Sequence, residues 1–274
     1  MRRILIGALL ITCLTACGGS SGGAALPVPV PIPPPGPTGV QSPGGIWFGF
    51  DSGAEQVAFY IAETGELRAI MHPDGGMFAS FGGGTVSVTS NDVITGSFEL
   101  EGALMLPTFE QSEELGCAIS GSVVERQALN VDVTCSDSGG VVYDESLTLI
   151  YDIRSYERES SLDAIAGDYT LQFQTDTNAL NIASDGTISG MYHNGAHCAV
   201  NGTAEIIDGD YGLIAITWTM TACVDLFGVF EGVQMSGFAL ADPSPAPATG
   251  RYYFLLTGQT EDGIYSISVL YDPV

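Results

Sequence analysis

The sequence predicts an all-β protein with two tandem antiparallel β-barrel-like domains, each with one disulfide, and a sandwich is the alternative architecture. From residue 45 onward, short runs of alternating apolar and polar residues occur without any long helical periodicity. Gly, Asn and Asp separate these runs at intervals of about 8–12 residues, a spacing typical of sandwiches and barrels. The 36 glycines of the chain suit turns better than helices.

Composition divides the chain into four segments. Residues 1–16 are assigned to a signal peptide, 17–44 to a tether, 45–155 to the first β domain and 160–274 to the second. The tether is rich in Gly and Ser at its start and in alternating Pro further on. Proline blocks both helix and ladder pairing, so the tether is expected to be extended in polyproline II conformation.

The clearest predicted strands alternate their side chains between two faces. They are residues 57–62, 85–88, 147–151, 251–256 and 264–269. Between the two domains, Ser161 can cap a short helical turn over residues 162–166, and Gly167 follows the end of that turn. About eight candidate strands in each domain would suit an up-and-down barrel.

The two domains share short sequence matches, which predict an internal repeat. The matched segments are residues 45–48 with 167–170, 92–96 with 186–190, and 117–121 with 198–202. The last match, Cys-Ala-aliphatic-x-Gly, carries most weight. The spacings between the matches differ, so they indicate a diverged duplication with loop insertions.

A hairpin in the first domain predicts a disulfide between Cys117 and Cys135. If the chain turns at residues 125–127, Cys117 faces Cys135 and Ile119 faces Val133. Side chains alternate with period two, so this register puts the cysteines on one apolar face and leaves the other face mostly polar. Opposed Cβ atoms about 4.5–5.5 Å apart can reach disulfide geometry after a small twist.

The second domain predicts a disulfide between Cys198 and Cys223, which flank a turn near residues 208–210. Cys223 has the wrong parity for the face that carries Met220, so the pairing needs a β-bulge between these two residues. Four cysteines allow three connectivities, and the register arguments favour this one over the other two. Exported proteins retain such bonds.

The N-terminus has the features of an export signal. Residues 1–3 are Met-Arg-Arg, and residues 4–12 form an apolar run too short to span a bilayer. The run leads into residues 14–17, Leu-Thr-Ala-Cys, which resemble the lipobox of bacterial lipoprotein signal peptides. The resemblance implies cleavage before Cys17, lipidation of that cysteine and, because Gly18 follows it, delivery to the outer membrane of the cell envelope.

The start of each β domain resembles the first strand of a lipocalin or avidin barrel, where a Gly-x-Trp packs at the closed end. Residues 45–47, Gly-Ile-Trp, carry the match in the first domain, and Tyr169 replaces the tryptophan in the second. Together with the leader, the chain resembles uncharacterised duplicated β-domain lipoproteins of Gram-negative bacteria. That resemblance implies a location and no particular activity.

The charge balance excludes several partners. The chain has 32 acidic and 7 basic residues, a net charge of −25, and all of its basic residues are arginine. A nucleic-acid binder needs many Lys and Arg side chains, and charge-driven docking on anionic lipid needs the same. Catalysis through a lysine Schiff base is excluded as well, because the chain contains no lysine. Contact with the membrane is therefore expected only through the lipid anchor.

Two Asp-Ser-Gly triplets, at residues 51–53 and 137–139, resemble the paired signatures of aspartic peptidases. That chemistry needs two carboxylates that share a proton across a pseudo-twofold axis. Both triplets fall in the same predicted domain, so we interpret them as turns, for which Asp, Ser and Gly are ordinary residues.

Metal sites have weak candidates. His193 and His197 are four residues apart, but the Asn-Gly between them favours a hairpin turn over a zinc-binding helix. Asp208 and Asp210, and residues 176–178, lie in acidic turns that could attract Ca²⁺. We expect no cofactor, with Ca²⁺ as the alternative.

The sequence thus predicts an outer-membrane-anchored lipoprotein that acts without catalysis, as a binding or envelope-interaction module for an unknown protein or small molecule. One alternative is a carrier with a hydrophobic ligand inside a hollow barrel. Another is a hydrolase of envelope polymers, which needs two convergent carboxylates roughly 5–9.5 Å apart.

Overall fold

The computed structural model describes nine stretches of the chain. They are residues 41–71, 80–89, 91–101, 115–173, 176–193, 197–224, 231–241, 252–260 and 263–273. The expected signal peptide, Cys17 and the tether up to residue 40 lie outside the described residues.

The described residues form sixteen strands and two short helices. The first eight strands are β1 (Gly45–Phe50), β2 (Gln56–Ile61), β3 (Glu66–Met71), β4 (Ser80–Val88), β5 (Val93–Glu101), β6 (Leu115–Val124), β7 (Ala128–Asp137) and β8 (Gly140–Tyr151). The helices α1 (Ile153–Tyr156) and α2 (Leu162–Ile165) come next. The last eight strands are β9 (Gly167–Phe173), β10 (Asp176–Ile182), β11 (Thr187–His193), β12 (His197–Ile206), β13 (Ile214–Val224), β14 (Gln234–Ala241), β15 (Tyr252–Thr260) and β16 (Gly263–Pro273).

Each set of eight strands closes on itself. Consecutive strands pair antiparallel, β1 also pairs with β8, and β9 pairs with β16. The two sheets are therefore up-and-down barrels, which we call barrel 1 (β1–β8) and barrel 2 (β9–β16). The all-β prediction is confirmed, and the architecture is the barrel rather than the sandwich.

The hairpin of β6 and β7 has the predicted register. Cys117 lies opposite Cys135 and Ile119 opposite Val133, and the disulfide joins the two cysteines. All four side chains point into barrel 1 and are buried. The local alternation of apolar and polar residues was enough to find this pairing, because a shift by one residue would turn the whole apolar face outward.

The hairpin of β12 and β13 contains the predicted bulge. Ala199 pairs with Thr221, whereas His197 pairs with Val224, so β13 carries one extra residue at this point. Ala222 lies in the extra stretch with a φ of 50°. The bulge restores the parity of Cys223, and the Cys198–Cys223 disulfide is present.

A recurrent turn shows which strands of the two barrels correspond. Gly65 between β2 and β3, and Gly186 between β10 and β11, both have a φ of 86°, donate to the carbonyl three residues earlier and accept from the next strand. Asp92, with a φ of 59°, makes the same turn between β4 and β5. The predicted match of residues 92–96 with 186–190 therefore pairs turns of the same geometry at different places. The turn at Asp92 follows the fourth strand of barrel 1, whereas the turn at Gly186 follows the second strand of barrel 2.

The disulfide hairpins are offset in the same way. They are the sixth and seventh strands of barrel 1, but the fourth and fifth strands of barrel 2. The cysteine match thus does not align the barrels strand for strand, whereas the Gly65 and Gly186 turns do. The internal repeat stays a prediction.

The predicted helical turn between the barrels is confirmed as α2. The Ser161 hydroxyl accepts a hydrogen bond from the N–H of Ala164 at 3.1 Å, which caps the helix start. Gly167 begins β9 directly after the helix. Ile165 of α2 is buried at the end of barrel 2, where its carbonyl accepts from the Tyr169 hydroxyl at 2.5 Å.

The described inward positions of both barrels hold large buried side chains. In barrel 1 these include Trp47, Phe59, Leu67, Met71 and Ile94. In barrel 2 they include Trp218, Met220, Phe254, Ile216 and Ile182. Inward side chains alternate with outward ones along the strands, as expected for a filled eight-stranded barrel.

Candidate functional site

The outer wall of barrel 1 is apolar and buried along β1 and β2, which marks a junction with barrel 2. Ile46, Ala58 and Tyr60 point outward, yet each is at most 9% exposed. Phe238 and Leu255 on the outer wall of barrel 2 belong to the same buried cluster. The barrels therefore pack side by side, wall against wall.

Arg68 lies at this wall-to-wall contact. It occupies an outward position on β3 and is 3% exposed. Its guanidinium donates to the carbonyl of Ser236 in barrel 2 at 2.8 Å, and it lies 5.5 Å from the centre of the Phe238 ring. Burial lowers the pKa of Arg68, while the neighbouring Glu66 carboxylate acts in the opposite direction.

Tyrosines fill the junction at the end of the barrels where β1 begins. Tyr156 of α1 stacks on Tyr211, from the loop between β12 and β13, with ring centres 4.8 Å apart. Tyr151 at the end of β8 meets Tyr156 edge-on at 5.9 Å and Trp47 at 5.1 Å. A continuous series of aromatic contacts therefore joins barrel 1, α1 and the loop of barrel 2, and each such pair contributes about 0.5–1.5 kcal/mol beyond its buried area.

Charged groups surround these rings and hold them in place. The Tyr156 hydroxyl donates to Glu63 at 3.0 Å, and Ser42 donates to the other oxygen of the same carboxylate. Arg126 pairs with Glu157 at 3.1 Å and donates to the Tyr211 hydroxyl at 2.9 Å. Burial, reinforced by Glu63, raises the pKa of Tyr156 well above its usual range, so this phenol stays protonated.

A shallow crevice, too small to enclose a water molecule, lies over this cluster. The lining residues come from both barrels and from α1: Ala62, Glu63, Tyr156, Ile207, Asp208, Tyr211 and Leu213. The carboxylates that line it already accept hydrogen bonds within the protein. The crevice therefore has the character of a structural joint.

Both Asp-Ser-Gly triplets are turns, as interpreted. Asp51 accepts from the N–H groups of Gly53 at 2.9 Å and Glu55 at 3.0 Å. Asp137 accepts from Gly139 at 2.6 Å and Gly140 at 2.9 Å. Each carboxylate orders its own hairpin between adjacent strands, which is the ordinary use of Asp in a turn.

The structure does not bring the metal candidates together. Asp208 accepts from the N–H of Asp210 at 3.0 Å, in the loop after β12. His197 begins β12, so about 30 Å of strand separates it from that loop. The His193 side chain lies outside the described residues, and residues 176–178 lie in β10 rather than in a turn. Within the described stretches, His, Cys, Asp and Glu form no group of three that could hold a metal.

The sequence interpretation missed Arg68 and the tyrosine junction. One signal was present: residues 57–62, Val-Ala-Phe-Tyr-Ile-Ala, contain no polar residue. A strand with one wet face alternates, whereas a strand covered on both faces is continuously apolar. The run therefore indicated that something covers the outer wall of β2.

None of the helices in the described stretches is long and apolar enough to cross a membrane. Compared with known proteins, the chain matches no family model, no curated protein and no solved structure. Its function is therefore argued from its own geometry.

Proposed function

We propose that this chain is a lipoprotein of the bacterial outer membrane, anchored through Cys17, whose two-barrel body is a non-enzymatic binding or envelope-interaction module. The lipobox-like residues 14–17 and the proline-rich tether support the anchor. The two disulfides of the body support an oxidising compartment. The partner is a protein or a small molecule of the envelope.

The observation that carries the proposal is the filling of both barrels. Trp47 and Phe59 in barrel 1, and Trp218 and Phe254 in barrel 2, are buried inside their barrels. A carrier needs an interior that is open to its ligand, whereas the inward positions that the structure describes are occupied by the protein's own large side chains. Recognition therefore falls to the outer walls and the hairpin ends.

The described side chains also argue against the two alternative functions, a carrier and a hydrolase. A carrier of a hydrophobic ligand is disfavoured by the packed interiors. A hydrolase needs free convergent carboxylates, but Asp51, Asp137 and Asp208 each cap a local turn. A binding module needs neither, because an ordered surface is sufficient.

The anchor is tested by metabolic labelling with an alkyne-tagged palmitate in a Gram-negative host. The wild-type chain is expected to incorporate the label and to fractionate with outer membranes, and Cys17→Ala is expected to lose both properties. Cys13→Ala is the matched control, since Cys13 lies in the segment that is cleaved away. Label that persists in Cys17→Ala, or disappears in Cys13→Ala, contradicts the proposed anchor.

The binding role is tested by crosslinking in intact envelopes from sites on the outer walls, such as Thr95 and Ser189. We expect capture of one stoichiometric partner. Native mass spectrometry of the purified protein provides the opposing result: a hydrophobic molecule that co-purifies at one per chain would establish the carrier instead.

A further inference from the structure

Arg68 is a charged residue that lies in an apolar contact. It stands on β3 between Leu67 and Ala69, which point into barrel 1, so its own side chain points outward. Barrel 2 covers it, because Phe238 lies against the guanidinium. In barrel 1 alone this side chain would be on the surface.

The hydrogen bonds of the guanidinium join the two barrels. Nη1 donates to the carbonyl of Leu67 at 2.8 Å. Nη2 donates to the carbonyl of Ser236 at 2.8 Å and to its hydroxyl at 3.2 Å, and pairs with Glu66 at 2.8 Å. The planar guanidinium fixes the angle between these bonds, so the Ser236 backbone can sit in only one position relative to β3.

Gly83 provides the space for this arrangement. Gly83 is the register partner of Arg68 on β4. A Cβ at this position would lie 3.1 Å from Nη1 of Arg68 and 2.9 Å from the Thr257 hydroxyl of barrel 2. The missing side chain therefore lets the guanidinium and the wall of barrel 2 approach the backbone of β4 together.

Stability alone does not favour an arginine here. Burial of a guanidinium carries a desolvation cost, and Nε has no hydrogen-bond partner among the described residues. The Glu66 side chain is 36% exposed, so its attraction is screened by solvent. Replacement of a buried ion pair by apolar residues of similar volume is often neutral or stabilising, and loss of Arg68 would not leave a buried unpaired charge because the exposed Glu66 carboxylate can be hydrated.

The apolar side chains at this contact stabilise it without fixing its geometry. Burial of Phe238, Leu240 and Leu255 favours association of the two walls, but the hydrophobic effect is non-directional. Such walls can slide or rotate over one another at small cost. Directional bonds from Arg68 to Ser236 remove that freedom.

We propose that Arg68 sets the relative orientation of the two barrels, and that its contribution is registry rather than stability. The body then presents one composite outer surface of fixed geometry, in which residues of both barrels keep constant distances. A partner that touches both barrels meets a preorganised surface and loses less entropy on binding.

The test compares Arg68→Met with the wild type in the mature chain carrying Cys17→Ser, which cannot be lipidated. Residual dipolar couplings are measured by NMR for both barrels, and melting temperatures are measured in parallel. We expect one alignment tensor for the wild type and two different tensors for Arg68→Met. The melting temperature of the variant should stay within about 4 °C of the wild type or rise, and a fall of 4 °C corresponds to about 1–2 kcal/mol for a body of this size.

Arg154→Met is the matched control, because Arg154 is an exposed arginine of α1 and its replacement makes the same change of charge. It should keep a single tensor. Gly83→Ala approaches the same contact from β4, and should separate the tensors as Arg68→Met does while leaving Arg68 in the chain. A single tensor in both Arg68→Met and Gly83→Ala overturns the proposal. A fall of more than about 8 °C in Arg68→Met with one tensor also overturns it, since it would make Arg68 a stabilising residue.

Discussion

The two barrels each contain one buried tryptophan, and the two indoles differ in one respect. Trp47 stands near the start of β1, and its Nε1 donates to the carbonyl of Pro43 at 3.1 Å. Trp218 stands inside β13, stacks on Phe254, and its Nε1 has no hydrogen-bond partner among the described residues. Both side chains are at most 2% exposed.

The difference follows from position along the strand. The residues before β1 are irregular, so the carbonyl of Pro43 is not committed to a ladder. Around the middle of β13, neighbouring carbonyls already pair with β12 and β14. An indole placed at the end of a barrel can therefore satisfy its N–H, whereas one in the middle of a wall contributes packing and leaves a polar group buried.

The largest expected effect comes from removal of either indole. Trp47→Ala and Trp218→Ala should each lower the free energy of unfolding by about 3–5 kcal/mol, because each leaves a large cavity in a filled barrel. Denaturant unfolding followed by circular dichroism measures the loss. Ile150→Ala on the outer wall, where the side chain is 58% exposed, is the control and should change little. A loss under 2 kcal/mol for either tryptophan would mean that its barrel is not packed as described.

Removal of a disulfide is expected to cause the next largest loss of unfolding free energy. Cys117–Cys135 and Cys198–Cys223 span 18 and 25 residues, so the chain-entropy model gives each about 3 kcal/mol. The double variants Cys117→Ala/Cys135→Ala and Cys198→Ala/Cys223→Ala should lose about that amount. The longer loop of barrel 2 adds only about 0.3 kcal/mol in that model. The deeper burial of Cys117 and Cys135, compared with the half-buried Cys223, acts in the opposite direction, so we expect the two losses to be similar. Unfolding in guanidinium measures both, and a much larger loss in barrel 2 would contradict the comparison.

Replacement of each tryptophan by phenylalanine, a more conservative substitution, distinguishes the two indole N–H groups. Trp47→Phe removes a hydrogen-bonded donor and Trp218→Phe removes an unpartnered one, while the loss of ring volume is the same. We expect Trp47→Phe to be about 1–3 kcal/mol more destabilising than Trp218→Phe. Denaturant unfolding followed by circular dichroism measures both losses, and the fluorescence of the remaining tryptophan shows whether the other barrel is affected. Equal losses would show that Trp218 gains a partner in solution.

How much of the fold the sequence could predict depends on how local the determining contacts are. The Cys117–Cys135 register and the bulge before Cys223 were predictable, because each depends on the alternation of a few residues around one turn. The correspondence between barrels was not, because the turn at Asp92 uses the same geometry as the turn at Gly186 two strands away. Local sequence identifies a turn type and not its place in a barrel.

The apolar run at residues 57–62 indicates that the outer wall of β2 is covered, but the sequence does not show what covers it. Arg68 and its partner Ser236 are 168 positions apart. Tyr156 lies in a linker whose pattern predicts only a connection. An outward arginine on a strand is ordinary surface until another wall covers it. That covering depends on how two complete barrels pack, which no window of the sequence contains.

The smallest expected effect is a loss of folding stability at alkaline pH, and it depends on the buried tyrosines at the ends of the two barrels. Burial, with a small contribution from Tyr252, raises the pKa of Tyr169 at the end of barrel 2 to about 12. Burial and Glu157 raise the pKa of Tyr151 in barrel 1 still further. In the unfolded chain both phenols ionise near pH 10. Between these values the unfolded state binds fewer protons, so stability should be fully present below pH 10 and should fall as the pH rises towards 12.

Tyr169→Phe isolates the part of this slope that belongs to barrel 2. It should cost about 1 kcal/mol at pH 7, because the hydrogen bond to the Ile165 carbonyl is lost, and it should make the fall above pH 10 shallower. Urea unfolding at pH 8, 10 and 11 measures both effects. An unchanged slope in Tyr169→Phe would contradict the raised pKa, because it would mean that this phenol ionises in the folded barrel as easily as in water.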